Sequence, residues 1–238
     1  MLSHKKYMEI QNLNREIGDM FEPGDQIIIQ EKIDGSNASF QYDRETDSVI
    51  CFSRNQILSP ELHLRGFYEW VQKLDKERVH AVLGDNLRMF GEWLVRHTVP
   101  YPKDCYETLY CFDVFDMEQH RYLPQDQVKA LAEQLGLRYV PVFYERSFTS
   151  WEDYQPLVGK TELGGEIGEG IIIKNLSTLS GNLAYTKIVH ENFSENKKTW
   201  KKKQRRKPSP EELQEHERLL AFVNKKLSHL ANKKVSQL

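Results

Sequence analysis

The chain is poor in cysteine, in paired histidines and in long apolar runs, and each shortage removes a class of function. Its three cysteines, Cys51, Cys105 and Cys111, are odd in number and lack metal-ligand spacing. A disulfide framework is unsupported, and reduced thiols in a cytoplasmic setting are expected. The eight histidines are scattered, with no pair at zinc-ligand spacing, so no structural zinc is expected. No apolar stretch approaches the roughly 18 residues needed to cross a bilayer, so no membrane partner is expected. The opening Met1-Leu2-Ser3-His4-Lys5-Lys6 is not followed by the apolar core of a signal peptide. Internal repeats are also missing, which removes solenoids and propellers.

What is abundant is charge, unevenly placed. At 238 residues, 39% hydrophobic and 29% charged, the chain has an ordinary globular composition. That length suits one substantial domain plus an appendage, divided here as 1–200 and 201–238. Residues 197–238 hold thirteen Lys or Arg against four Glu, a net +9, so residues 1–196 carry −11 of the overall −2. An acidic body with a basic end suits contact with a polyanion through one region, or a solvated tail. The run Lys201-Lys202-Lys203-Gln204-Arg205-Arg206-Lys207 reads as an exposed linker. Pro208 and Pro210 then precede a helix with Glu211 and Glu212 in its first turn. Its stripe from Leu213 through Leu220, Val223 and Leu227 to Leu230 must dock on the body, on a protein partner or on a further domain.

Within the body, residues 5–20 read as a short helix or an irregular lead-in. Alternation predicts strands at 26–33, 36–42, 48–54, 87–95, 107–116, 138–144, 169–175 and 182–190. Phe67, Trp70, Val71 and Leu74 recur at helical spacing and predict a helix over 65–79. A second helix, marked by Val128, Leu131, Ala132 and Leu135, is capped by Gly136. Five glycines between Gly159 and Gly170 mark a loop. Strands with few helices and short connections predict an antiparallel-rich α+β fold.

The most informative segment is Glu31-Lys32-Ile33-Asp34-Gly35-Ser36-Asn37, where an isoleucine run gives way to small polar residues. In a regular strand Lys32 and Asp34 share a face. A strand-end lysine beside a carboxylate, with a glycine following, is a candidate covalent nucleophile. An exposed ion pair before a turn is the plainer alternative. Further segments follow in order: Ser53-Arg54, Phe90-Gly91-Glu92-Trp93, Tyr110-Cys111-Phe112-Asp113-Val114-Phe115-Asp116, Glu169-Gly170-Ile171-Ile172-Ile173-Lys174 and Ala184-Tyr185-Thr186-Lys187. From about residue 25 to 200 this series resembles the covalent nucleotidyltransferases, the ATP- or GTP-dependent ligases and capping enzymes. Phe193-Ser194-Glu195, together with Asn37, is similar to nick-sealing RNA ligases of the RNA ligase 2 type.

The resemblance implies an ATP-grasp-like, two-sheet adenylation fold with a short C-terminal helical tail, gripping ATP between the sheets. It makes Lys32 the nucleophile that forms lysyl-AMP and Lys187 a second cation at the phosphates. It assigns Glu31 and Ile33, on either side of the lysine, to the nucleotide. Glu92 would accept from a ribose hydroxyl and Phe112 would stack on adenine, unless Phe112 packs in the core on the face it shares with Val114. Glu169 would hold Mg2+ or Mn2+. Lys174 would reach the phosphates only if its strand bends, and is otherwise an exposed edge lysine. Asn37 and Arg54 would position nucleic-acid ends, and Arg54 would also contact the nucleotide. Val189 stands where the family's Lys-x-Lys has its second lysine. The implied partner is RNA, as a nicked duplex or an RNA–DNA hybrid. A ligase for DNA or other 5′-phosphate ends, and a catalytically weak RNA-binding module, remain the alternatives.

Overall fold

The computed structural model of the chain describes residues 5–178 and 183–193. The expected boundary at 200, the basic run and the leucine stripe lie outside the described residues. The elements in order are β1 (Gln11–Asn12), α1 (Arg15–Gly18), β2 (Gln26–Lys32), β3 (Ser36–Asp43), β4 (Ser48–Ser53), α2 (Phe67–Val71) and α3 (Lys76–Leu83). They continue with β5 (Leu87–Leu94), β6 (Thr108–Asp116), β7 (Arg121–Tyr122), α4 (Gln125–Leu135), β8 (Arg138–Tyr139), β9 (Val142–Ser147), β10 (Gly170–Asn175) and β11 (Tyr185–Val189). Short 3-10 turns lie at Lys103–Cys105 and Glu152–Leu157.

Two mostly antiparallel sheets form, as expected. One runs β1-β11-β10-β2-β9; the other runs β4-β3-β5-β6-β7, with β8 beside β6. Among the described residues, only β1 on β11 and β8 on β6 pair in parallel. The helices cover one face of the second sheet, where Ala38, Phe40, Met89, Trp93, Cys111 and Val114 meet Phe67, Val79 and Val128. On the first sheet, Ile27, Ile29, Ile171 and Ile173 pack with Phe21, Phe148 and Tyr154. The isoleucine run of β2 is continuous because both of its faces are covered.

Two expected elements are divided. The helix predicted over 65–79 becomes α2 and α3. Arg65 and Gly66 have φ of 54° and 92°, left-handed values that no helix can include. Asp75 then restarts the chain as an N-cap, its carboxylate accepting from Arg78 N at 3.1 Å. The strand predicted over 138–144 splits at Pro141, which has no N–H for a ladder. Arg138–Tyr139 pair with β6 in one sheet, and Val142–Ser147 pair with β2 in the other. This crossing ties the sheets together, and Pro141 O accepts from Glu31 N at 2.9 Å. Residues 5–20 contain both a short strand and one helical turn.

Candidate functional site

The inner faces of the two sheets meet at the end of β2. Lys32 lies opposite Gly170, Gln30 opposite Ile172, and Ile172 opposite Lys187. The pleat therefore places Lys32 and Lys187 on one face. Glu169, the residue before β10, accepts from Lys32 Nζ at 2.5 Å, and the two side chains keep 15% and 23% of their surface exposed. Burial raises the Glu169 carboxyl above the usual range, with the Lys32 and Lys187 charges pulling the other way. Val189, on β11, lies opposite Gly170, which in turn lies opposite Lys32, so the position that the resemblance gives to a second lysine holds an apolar side chain.

The opposite wall comes from β3 and β5. Asn37 pairs with Glu92 across the ladder, which puts their side chains on one face. Gly35 N donates to Glu92 Oε1 at 3.2 Å. A Cβ on Gly35 would stand 2.6 Å from Trp93 O and 3.0 Å from the Glu92 Cγ, so only glycine brings the backbone this close. Burial pushes the Glu92 carboxyl up to about 8, against the lowering influence of Lys32 and Arg54. At neutral pH Glu92 is then mainly a neutral acid, able both to donate and to accept. Arg54 follows β4 and is exposed beside this wall.

Asp34 departs from the strand pattern because β2 ends at Lys32. Its Oδ2 accepts from Thr98 N at 2.7 Å and Val99 N at 2.8 Å, and its own N donates to the Tyr101 hydroxyl at 3.1 Å. Its charge still acts on Glu169, raising that carboxyl.

Phe112 does not share a face with Val114. The β5–β6 register shifts between Phe90 and Gly91, which pair with Asp113 and Cys111, leaving Phe112 as the extra residue of a bulge. Val114 and Cys111 point to the helices, whereas Phe112 turns to the inner side among Tyr110, Phe90 and Tyr7. The Tyr7 ring meets Phe112 edge-on, with centroids 4.9 Å apart. Phe112 stays part-exposed.

Lys174 is neither an exposed edge lysine nor placed beside Lys32. It lies opposite Ile28, deep between the sheets and 1% exposed. Its Nζ reaches both Asp113 carboxylate oxygens at 3.0 Å, Phe112 O at 2.8 Å and Gln125 Oε1 at 3.1 Å. Burial lowers its pKa, and Asp113 opposes that shift. Asp113 also accepts from the Tyr7 hydroxyl at 2.5 Å and from Gln125 Nε2 at 2.6 Å. The Tyr139 hydroxyl donates to Gln125 Oε1 and accepts from Gln30 Nε2, each at 2.6 Å. Tyr7, Gln30, Gln125 and Tyr139 join this cluster without any signal in the sequence. Their polar atoms stand on otherwise core-like positions, and nothing local to them marks the partner.

The residues flanking Lys32 are also buried. Ile33 sends its side chain into the core with Leu94, Val99, Tyr101 and Tyr110, leaving none for a ligand. Glu31 Oε2 accepts from Glu162 N at 2.9 Å, holding the glycine-rich segment. Its Oε1 is buried without a hydrogen-bond partner among the described residues, and burial raises its pKa. No cluster of three or more metal-ligating side chains occurs among the described residues. The donor set fits a hard ion that takes one or two carboxylates and fills its remaining positions with water and phosphate, with Glu169 as the first of them. No helix among the described residues is long and apolar enough to cross a membrane.

Residues 25–189 match the model of the RNA ligase family. Among solved structures, an archaeal ATP-dependent RNA ligase superimposes with a TM-score of 0.60 at 18% identity, over 80% of this chain and 49% of that one. A variant of Naegleria gruberi RNA ligase with ATP and Mn gives 0.60 at 19% identity, over 82% of this chain and 58% of that one. Another variant of the same enzyme, with AMP and Mn, gives 0.62 at 19% identity, with the same coverage. The chain thus spans about half the length of the archaeal protein (49%) and 58% of the Naegleria protein. No curated protein sequence matches it.

Proposed function

The chain belongs to the RNA ligase family, and from that premise we propose that it is an ATP-dependent RNA ligase working through lysyl-AMP on Lys32. The observation that carries this reading is the part-exposed Lys32–Glu169 contact at the mouth of the inter-sheet cleft. In the free protein the Lys32 amine lies against Glu169 Oε2. The amine attacks only after losing a proton, and Glu169 Oε2, already in contact, is the nearest acceptor. Lys32 Nζ then bonds to the α-phosphorus of ATP, and pyrophosphate leaves with the electron pair of the broken P–O bond. Lys187 offsets charge developing on the phosphates, Phe112 supports the adenine, and Glu92 bonds a ribose hydroxyl. Of the residues first assigned to the nucleotide, Glu31 serves through the glycine-rich segment, Ile33 through its backbone and Lys174 through bracing beneath Phe112.

Glu169 is suited to a magnesium or manganese ion, which when bound would neutralise phosphate charge. In the later steps AMP passes from Lys32 to an RNA 5′-phosphate, and a 3′-hydroxyl displaces it as the strand is sealed. Asn37 and Arg54 stand on the Glu92 wall to position those ends. The substrate we favour is a nick in duplex RNA or an RNA–DNA hybrid.

The test is sealing of a labelled 5′-phosphate nick in duplex RNA, beside the same nick in DNA, with ATP and either metal. Sealing of the RNA nick with release of AMP is expected. Sealing confined to DNA would move the substrate class. RNA retention without sealing or AMP release would make the chain a binding module, the reading that Val189 favours.

A further inference from the structure

Both sequence neighbours of the Lys32–Ile33 step reach out of the strand to hold a different loop, and the two loops touch. Glu31 binds the 159–168 segment through Glu162 N. Asp34 binds the 97–102 segment through Thr98 N, Val99 N and the Tyr101 hydroxyl. The two segments meet at two glycines with left-handed φ, Gly164 at 93° and Gly165 at 109°. A Cβ on Gly165 would stand 2.8 Å from Pro100 O, and one on Gly164 would stand 3.1 Å from the Pro102 ring. Cys105 Sγ adds a contact to Leu163 O at 3.4 Å. The glycine-rich segment then closes on itself, Gly168 N donating to Gly159 O at 2.7 Å, and delivers Glu169 to Lys32.

We propose that Asp34 is a positioning residue. By fixing residues 97–102 it backs the glycine-rich segment, and through that segment it sets the Glu169 carboxylate against Lys32. The ring runs from Asp34 through Pro100 and Gly165 to Glu169, and returns to the strand two residues before it started. The ladder holds the backbone of this end, with Gly170 opposite Val189 and His190 N donating to Glu169 O at 2.8 Å, so what the backing sets is the approach of the chain into Glu169 and the direction of its carboxylate. Misplacing a reacting group by about 1 Å can cost as much as 100-fold in rate, so a modest slackening of the ring is enough to register. The consequence for rate rests on the ligase reading; the mechanical coupling does not.

Hydrogen exchange on the full chain, wild type against Asp34→Ala and Asp34→Asn, tests the coupling without ATP. Asp34→Ala should speed exchange about tenfold at residues 97–101 and also at 160–168, which Asp34 does not touch. Asp34→Asn, whose Oδ1 still accepts from both amides, should restore most of the protection in both segments. Acceleration confined to 97–101 overturns the proposal, as does an Asn variant no better than Ala. In self-labelling with ATP, Asp34→Ala should lower the rate constant about tenfold and leave the half-saturating ATP concentration within about twofold. Gly165→Ala should reproduce that loss, and the double variant should be no worse than either single one. Multiplying losses, or a rise in half-saturating ATP alone, also count against it. If the wild type takes no label, the ligase reading fails, while the exchange result still decides the coupling.

Discussion

The first sheet carries two lysine–carboxylate contacts on one face, and their settings differ sharply. Lys32 and Glu169 meet at the cleft mouth with 23% and 15% of their side-chain surface exposed. Lys174 and Asp113 meet four residues deeper in the register of β2, with 1% and 0% exposed. The outer carboxylate has few other attachments, so it can release its lysine to a ligand. The inner one is tied to Tyr7 and Gln125 as well, and its lysine also bonds Phe112 O, so it cannot let go without orphaning several buried groups. The same two residue types thus stand in two settings: the outer pair is open to a ligand, and the inner pair joins the two sheets beneath Phe112.

The sharpest way to break this contrast is to remove each lysine. Lys32→Ala should abolish covalent AMP labelling altogether while costing less than about 1 kcal/mol of stability, since a part-exposed pair contributes little. Lys174→Met should do the reverse. It leaves Asp113 as an uncompensated buried charge and should cost about 3–5 kcal/mol in denaturant unfolding, with labelling retained by the folded fraction. Equal stability losses in the two variants would erase the distinction.

Glu92 sharpens the contrast from the other wall. Because its carboxyl is pushed up to about 8, Glu92→Gln mimics the form present at neutral pH. ATP affinity should be nearly unchanged in Glu92→Gln and about tenfold weaker in Glu92→Ala, the worth of one good hydrogen bond. The folded pKa lies above the unfolded value, so this group's stabilisation is complete below about pH 4.5 and is lost as pH rises through about 8. Wild-type stability should therefore decline from pH 5 to 8.5 relative to Glu92→Gln, followed by urea midpoints at each pH. The smallest effect is expected at Val189. Val189→Lys returns a cation beside Gly170 and should speed labelling about fivefold, equivalent to about 1 kcal/mol of added phosphate stabilisation, in single-turnover measurements.

Much of the fold was legible because the strands alternate and the turns carry their own residues. The isoleucines of β2 and the glycine at the end of α4 leave little choice. The sheet-crossing at Pro141 was not legible, since a proline in a strand-like run marks a break without saying where the chain goes next. The bulge at Phe112 escaped for a related reason: one extra residue in β6 reverses every later side chain, and its position depends on hydrogen bonds to β5. Lys32, Glu92, Glu169 and Lys187 are far apart in sequence, and the two sheets bring their charges within reach of one another. Lys174 could not be placed, because strand alternation gives its face but not its depth. Only the register opposite Ile28 puts it beside Asp113. Tyr7 stands far from its partners in sequence, and no periodicity connects it to β6.

The covalent role of Lys32 is tested most directly by peptide mapping of the protein after incubation with α-labelled ATP and magnesium. One AMP adduct is expected, on the peptide containing Lys32, discharged by added pyrophosphate and missing from Lys32→Ala. An adduct on another lysine, or none on folded protein with either magnesium or manganese, would contradict it.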